Sequence, residues 1–164
     1  MAAGKKTNLA KVALALLLAM MLSVFVSTNA FASSQDKPFE FTTVNASTQA
    51  MIDRAQTKEN TSSIYCYIQR TNNSAVTHAY VNARGSNSGY ISPSEQTNNQ
   101  NWAYCNSAEP ANRRMTVGTQ YFIYNSVKEN KYSWAALSFK TPKAVTMSGV
   151  WSPDSVPQSG VVQI

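Results

Sequence analysis

His78 is the only histidine in the 164-residue chain, so a serine or cysteine mechanism with an imidazole base must run through it. It stands mid-strand between Thr77 and Ala79, and no G-x-S-x-G nucleophile elbow occurs. A solvated or packed strand histidine is the expectation. The carboxylates are Asp36, Glu40, Asp53, Glu59, Glu95, Glu109, Glu129 and Asp154. A glycosidase needs two of them facing across about 5 to 10 Å, and nothing in their spacing pairs any two. Calcium needs several oxygen ligands in a compact loop, and one histidine with two cysteines is too small a set for a typical zinc site. Phosphate-cradling glycine loops are missing as well. The sequence therefore predicts a protein that is not an enzyme and uses neither metal nor cofactor.

The two cysteines, Cys66 and Cys105, carry the other recognisable chemistry. On an exported chain such a pair favours one disulfide. The loop it would close has about 40 residues, for which the chain-entropy model gives about 4 kcal/mol. Two buried free thiols are the alternative. Cys66 lies in Ser62–Gln69, where Ile64, Cys66 and Ile68 fall on one face of a strand and Tyr65, Tyr67 and Gln69 on the other. Cys105 ends Trp102–Cys105, and a bond between them would clamp two strands.

Aromatic rings are abundant: Tyr65, Tyr67, Tyr80, Tyr90, Trp102, Tyr104, Tyr121, Tyr124, Tyr132, Trp134 and Trp151. On an exposed sheet such rings stack on sugars or insert at a membrane interface, being apolar bodies with polar handles. Sheets also favour aromatics for packing alone. Arg113 and Arg114, with Lys140 and Lys143, add attraction for anionic wall polymers or lipid. The candidate binding surface is therefore Tyr65, Tyr67, Tyr90, Trp102, Arg113 and Arg114. A cell-wall polymer, a glycan or a target-cell surface is the expected partner.

Export comes from the N-terminus. Lys5, Lys6 and Lys11 form a positive region, Val12 to Val26 is nearly all apolar, and Ala30-Phe31-Ala32 supplies small residues for cleavage before Ser33. The apolar run falls short of the about 20 residues of a spanning helix, so a cleaved signal peptide over 1–32 is expected, with a retained anchor as the alternative. Three of the fourteen Lys and Arg lie in that segment. The remaining eleven stand against eight Asp and Glu, a net charge of +3 in place of +6. No basic cluster or nucleic-acid motif accompanies it, so nucleic acid is not an expected partner. The export machinery, met through the signal peptide, is.

The mature chain is the size of one domain. Residues 33–38 read as a loose N-terminus and 39–164 as a single domain. Strands are expected at Phe39–Val44, Ser62–Gln69, Val76–Ala83, Trp102–Cys105, Thr116–Val127, Tyr132–Lys140 and Ala144–Trp151. Residues 45–61 fit either a short helix capped by Ser47 or an extended edge. Arg84–Gln100 reads as the longest loop, Lys128–Lys131 as a hairpin turn and Ser152–Ser155 as a closing turn, while Gly118 marks a bend or bulge. About seven short strands with polar turns give an all-β fold, a single antiparallel β-sandwich of jelly-roll or Greek-key type following the signal helix.

Three stretches carry a family likeness: Arg54-x-x-x-Lys58-x-x-Thr61-Ser62-Ser63-x-Tyr65; Val127 to Tyr132 with Ser133, Ala135 and Leu137; and Ser148-Gly149-Val150-Trp151-Ser152-Pro153-Asp154-Ser155. With the signal peptide, they make the chain resemble a family of small secreted proteins of Gram-positive bacteria of unknown function. That family is in turn distantly similar to lactococcin-type bacteriocin-associated proteins. The resemblance spans most of residues 39–156 and implies export and β structure. The functional expectation is a secreted, non-catalytic protein that binds at or outside the cell surface, in its sharper form bacteriocin-like. A carbohydrate-binding module and a secreted hydrolase are the alternatives.

Overall fold

The structure, a computed structural model, describes residues 36–46, 48–98, 101–106, 113–156 and 159–164. The expected signal peptide over 1–32, its cleavage residues Ala30, Ala32 and Ser33, and the cap residue Ser47 lie outside them. The strands are β1 (Lys37–Thr43), β2 (Gln49–Met51), β3 (Gln56–Thr57), β4 (Ser63–Thr71), β5 (His78–Ser86), β6 (Ala103–Tyr104), β7 (Arg114–Thr116), β8 (Gln120–Ile123), β9 (Trp134–Lys140), β10 (Val145–Ser155) and β11 (Val162–Gln163). One helical turn, α1 (Glu95–Asn98), precedes β6.

Alternation of side chains builds the strands. In β1, Phe39, Phe41 and Thr43 are buried while their neighbours are exposed. The first sheet runs β1-β10-β4-β8-β11 and the second β2-β9-β5-β6, with β3 added to β9 and β7 to β5. Apart from β5 and β6, neighbours along each sheet are not consecutive in the chain, so the connections cross repeatedly from one sheet to the other. The inner faces meet through Phe39 and Phe41 of the first sheet and Phe139 of the second, with Phe41 and Phe139 stacked at 4.3 Å between centroids. The all-β sandwich follows from the strand pattern as expected.

Several boundaries differ from the expected ones. Lys37 and Pro38 are paired with Trp151 and Val150, not loose. Gln49–Met51 is extended and pairs with β9, so the helical alternative for this stretch does not form. Thr116–Val127 is not one strand: Gly118, at φ 84°, lets the chain leave the second sheet after β7 and enter the first at β8. Lys128–Lys131 is consequently no hairpin, because β8 and β9 belong to different sheets. Ser152–Ser155 continues β10 instead of turning. One pairing, β11 with β8, is parallel. The strands number eleven among the described residues, where about seven were expected, because several are two- or three-residue pieces.

An ion pair ties the segment after β3 to the end of β10. Lys58 Nζ donates to the carbonyls of Ser62 (2.5 Å) and Pro153 (2.6 Å) and to Asp154 Oδ1 (2.9 Å), and both side chains are buried. The backbone N–H groups of Glu59 and Asn60 donate to the same carboxylate at 2.9 and 3.2 Å. Every ammonium proton has an acceptor, the condition under which a buried charge is tolerated.

The expected Cys66–Cys105 bond is absent: both cysteines are buried free thiols. Cys66 belongs to β4 of the first sheet and faces the core. Cys105 follows β6 of the second sheet, donating weakly to Ala103 O and receiving the Asn130 amide. Burial raises both thiols above their ordinary value, Cys66 well above. Native protein is therefore expected to resist a thiol reagent near neutral pH, with both thiols reacting once denaturant is added without reductant. Failure of both to react under denaturing conditions would restore the disulfide.

Candidate functional site

The outer face of the second sheet gathers polar side chains that the strand period places there. In β5, Ala79, Val81 and Ala83 face the core, so His78, Tyr80, Asn82 and Arg84 face outward. Cross-strand register sets Lys140 beside Tyr80, Ser138 beside Asn82 and Ala136 beside Arg84. Gln49 of β2 lies next to Lys140, Arg114 of β7 next to Tyr80, and Tyr104 of β6 next to Arg84.

Arg84 is the unusual member. It is 2 % exposed, yet the described residues offer it no carboxylate: their ion pairs are Arg54–Asp53 and Lys58–Asp154. Its guanidinium instead donates to Ser138 Oγ (2.8 Å), Trp102 O (3.0 Å) and Gln49 Oε1 (2.6 Å). The Tyr104 ring covers it at 3.4 Å, an attraction between the cation and the negative ring face. Burial pulls Arg84 below its ordinary pKa, with Arg113 acting in the same sense and Tyr104 opposing. The buried charge is thus held by neutral groups.

Beside it opens a pocket of about 370 Å³, whose lining includes Gln49, Tyr80, Asn82, Arg113, Lys140 and Pro142. The two amides there are oriented by arginine, which only donates. Gln49 Oε1 accepts from Arg84 and from the Tyr104 hydroxyl (2.8 Å). Asn82 Oδ1 accepts from Arg113 Nη1 and from Asn106 Nδ2 (3.1 Å). Both amide oxygens are therefore occupied. What the two amides have left to offer is N–H, next to a guanidinium and an ammonium. Arg113 Nε is itself buried and has no hydrogen-bond partner. Thr141, also in the lining, is occupied by Thr43 and by the Lys143 carbonyl.

The six residues expected to form a binding surface do not come together. Tyr65 and Tyr67 are half-buried on the outer face of the first sheet, and Tyr65 meets Phe122 at 5.9 Å. Burial, aided by the Asp36 carboxylate, pushes the Tyr65 hydroxyl up to about 12. Trp102 is buried and is no surface residue. Tyr90 is exposed in the segment between β5 and α1. Arg113 lines the pocket, while the exposed Arg114 stands 3.3 Å from His78 Nδ1. Desolvation and that guanidinium lower the His78 pKa, and its ring meets Tyr80 edge-on at 5.6 Å. The sequence offers no site reading for Gln49, Asn82 or Arg84, and marks Lys140 only for its charge and Tyr104 only among the aromatic rings. The signal available was the run Tyr80, Asn82, Arg84 at a period of two, polar side chains on one face of a strand whose other face is apolar.

Among the described residues no group of His, Cys, Asp or Glu is placed to hold a metal, and no helix is long and apolar enough to cross a membrane. Residues 26–155 match a family described as proteins of unknown function, DUF2712. The chain belongs to this family. The match reaches from before β1 to the last residue of β10, so it takes in the Lys58–Asp154 pair and the pocketed face. The expectation of a family of unknown function holds, and the family description names no activity, source or location. No curated protein and no solved structure matches the chain.

Proposed function

We propose that the protein is a secreted, non-catalytic β-sandwich that acts by binding at or outside the cell surface, through the outer face of the second sheet. The observation that carries this reading is the pocket of about 370 Å³, framed by a tyrosine and by two amides held in fixed orientation. Rigid polar groups beside apolar walls are the usual make-up of a ligand site. Export is supported by the basic and apolar N-terminal run ending in Ala30-Phe31-Ala32. The ligand class is a wall polymer or glycan, whose sugar faces pack on Tyr80 and whose oxygens meet the amide N–H groups.

The purified protein is expected to co-sediment with isolated Gram-positive cell walls. Tyr80 is 37 % exposed and packs edge-on against His78, so the retention of Tyr80→Ala is compared at a temperature where its circular dichroism shows it fully folded. The substitution weakens retention by about two- to tenfold, the loss of one aromatic contact. Absence of binding to walls and to soluble glycans alike would remove the reading.

A further inference from the structure

We infer that the pocket on the second sheet takes an oxyanion, a phosphate or carboxylate carried by a hydroxyl-rich polymer. This specifies the ligand of the site proposed above and rests on that reading. Gln49 and Asn82 have both committed their carbonyl oxygens, each to an arginine and to a second donor. Thr141 has committed its hydroxyl. The pocket therefore presents N–H groups without matching acceptors, the pattern that suits a ligand which only accepts.

Charge points the same way. Arg113 and Lys140 line the pocket, Arg84 lies beside it through Gln49, and among the described residues none of the three forms an ion pair. A neutral sugar's hydroxyls accept from these N–H groups without compensating the Arg113 and Lys140 charges, whereas an oxyanion answers several donors and both charges at once. The apolar wall at Pro142 excludes water from one side, which strengthens each charged contact.

The test titrates the purified protein with three probes: poly(glycerol phosphate), polygalacturonate and neutral chitohexaose. Both anionic polymers are expected to bind, more weakly as salt rises, and the neutral oligosaccharide not at all. Whichever anionic arm binds more tightly identifies the oxyanion as phosphate or carboxylate. Lys140→Glu and Asn82→Asp place a carboxylate among the donors and are expected to weaken binding about tenfold or more. Lys37→Glu makes the same change in net charge on β1 of the first sheet and should leave binding unaltered. Equal losses from Lys37→Glu and Lys140→Glu would overturn the pocket in favour of diffuse charge. Chitohexaose binding that ignores Lys140→Glu would overturn the oxyanion while sparing the proposed function, and silence of all three probes would overturn both.

Discussion

Lys58→Met is expected to lower the free energy of unfolding by about 3–5 kcal/mol, the usual cost of removing one partner of a buried ion pair. The substitution keeps most of the stem volume but strips the charge from a side chain that is 0 % exposed. It leaves the Asp154 carboxylate buried at 1 % exposure without its ammonium partner, while the Glu59 and Asn60 N–H groups still donate to it. The Ser62 and Pro153 carbonyls lose their ammonium donor at the same time. Both ends of the latch then loosen: the segment leading from β3 into β4, and the end of β10. Urea denaturation followed by tryptophan fluorescence reads the effect. The double variant Lys58→Met with Asp154→Leu should recover much of the loss, because a matched apolar pair carries no stranded charge. A single-variant cost under about 1 kcal/mol would mean that water reaches the pair, as it does for surface salt bridges.

That pair shows what a linear reading of the sequence misses. Lys58 and Asp154 both stand in stretches that carry the family resemblance, yet beside Pro153 the sequence marks Asp154 as a turn residue. Ninety-six positions separate them, and nothing local signals that a lysine amid polar residues will be fully buried. Strand alternation, by contrast, was legible wherever one face packs on the core. Phe39 and Phe41, Ile64 to Ile68, and Ala79 to Ala83 all point as their period demands. Inside Thr116–Val127 the sequence marks a bend or bulge at Gly118 but not a change of sheet, because the apolar run Tyr121 to Ile123 reads as a continuation of the same strand. Only the left-handed φ at Gly118, and the donation of its N–H to Ile68 O, reveal the change of sheet.

The candidate site was legible in its chemistry but not in its location. The sequence marks tyrosines for stacking and Arg113, Arg114, Lys140 and Lys143 for anions, and three of the lining residues, Tyr80, Arg113 and Lys140, come from those sets. The grouping failed because Tyr65 and Tyr67 sit on the opposite sheet and Trp102 turned inward, its carbonyl capping Arg84. The sequence reading places Arg84 at the start of the longest loop. The structure extends β5 through Ser86, which buries it. Long polar side chains in a strand are ordinarily evidence of solvent, and a buried arginine held by a tyrosine ring and an amide has no one-dimensional signature.

Gly149→Ala is expected to be the most damaging single methyl group in the first sheet. Gly149 lies where the pairing of β10 with β4 shifts register, Ser148 facing Arg70 and Gly149 facing Ile68, so that Gln69 is the extra residue of a bulge. A Cβ there would sit 2.0 Å from the Tyr67 carbonyl oxygen, 2.9 Å from its carbon and 3.0 Å from the Ile68 Cα. All three are backbone atoms, so no side chain can swing aside, and relief requires the two central strands to separate. Overpacking in cores costs about 1–3 kcal/mol where side chains can yield; here the backbone must, and about 3 kcal/mol or more is expected. The same separation would shift Trp151, two residues on and 0 % exposed. A shift of its fluorescence to the red with a lower urea midpoint is the predicted result. Gly118→Ala makes the contrast, since a Cβ there meets nothing within 4 Å and its cost comes from φ 84° alone. About 1 kcal/mol is typical for that conformation. Equal destabilisation by the two alanines would show that the close approach of β4 and β10 is not what requires a glycine at 149.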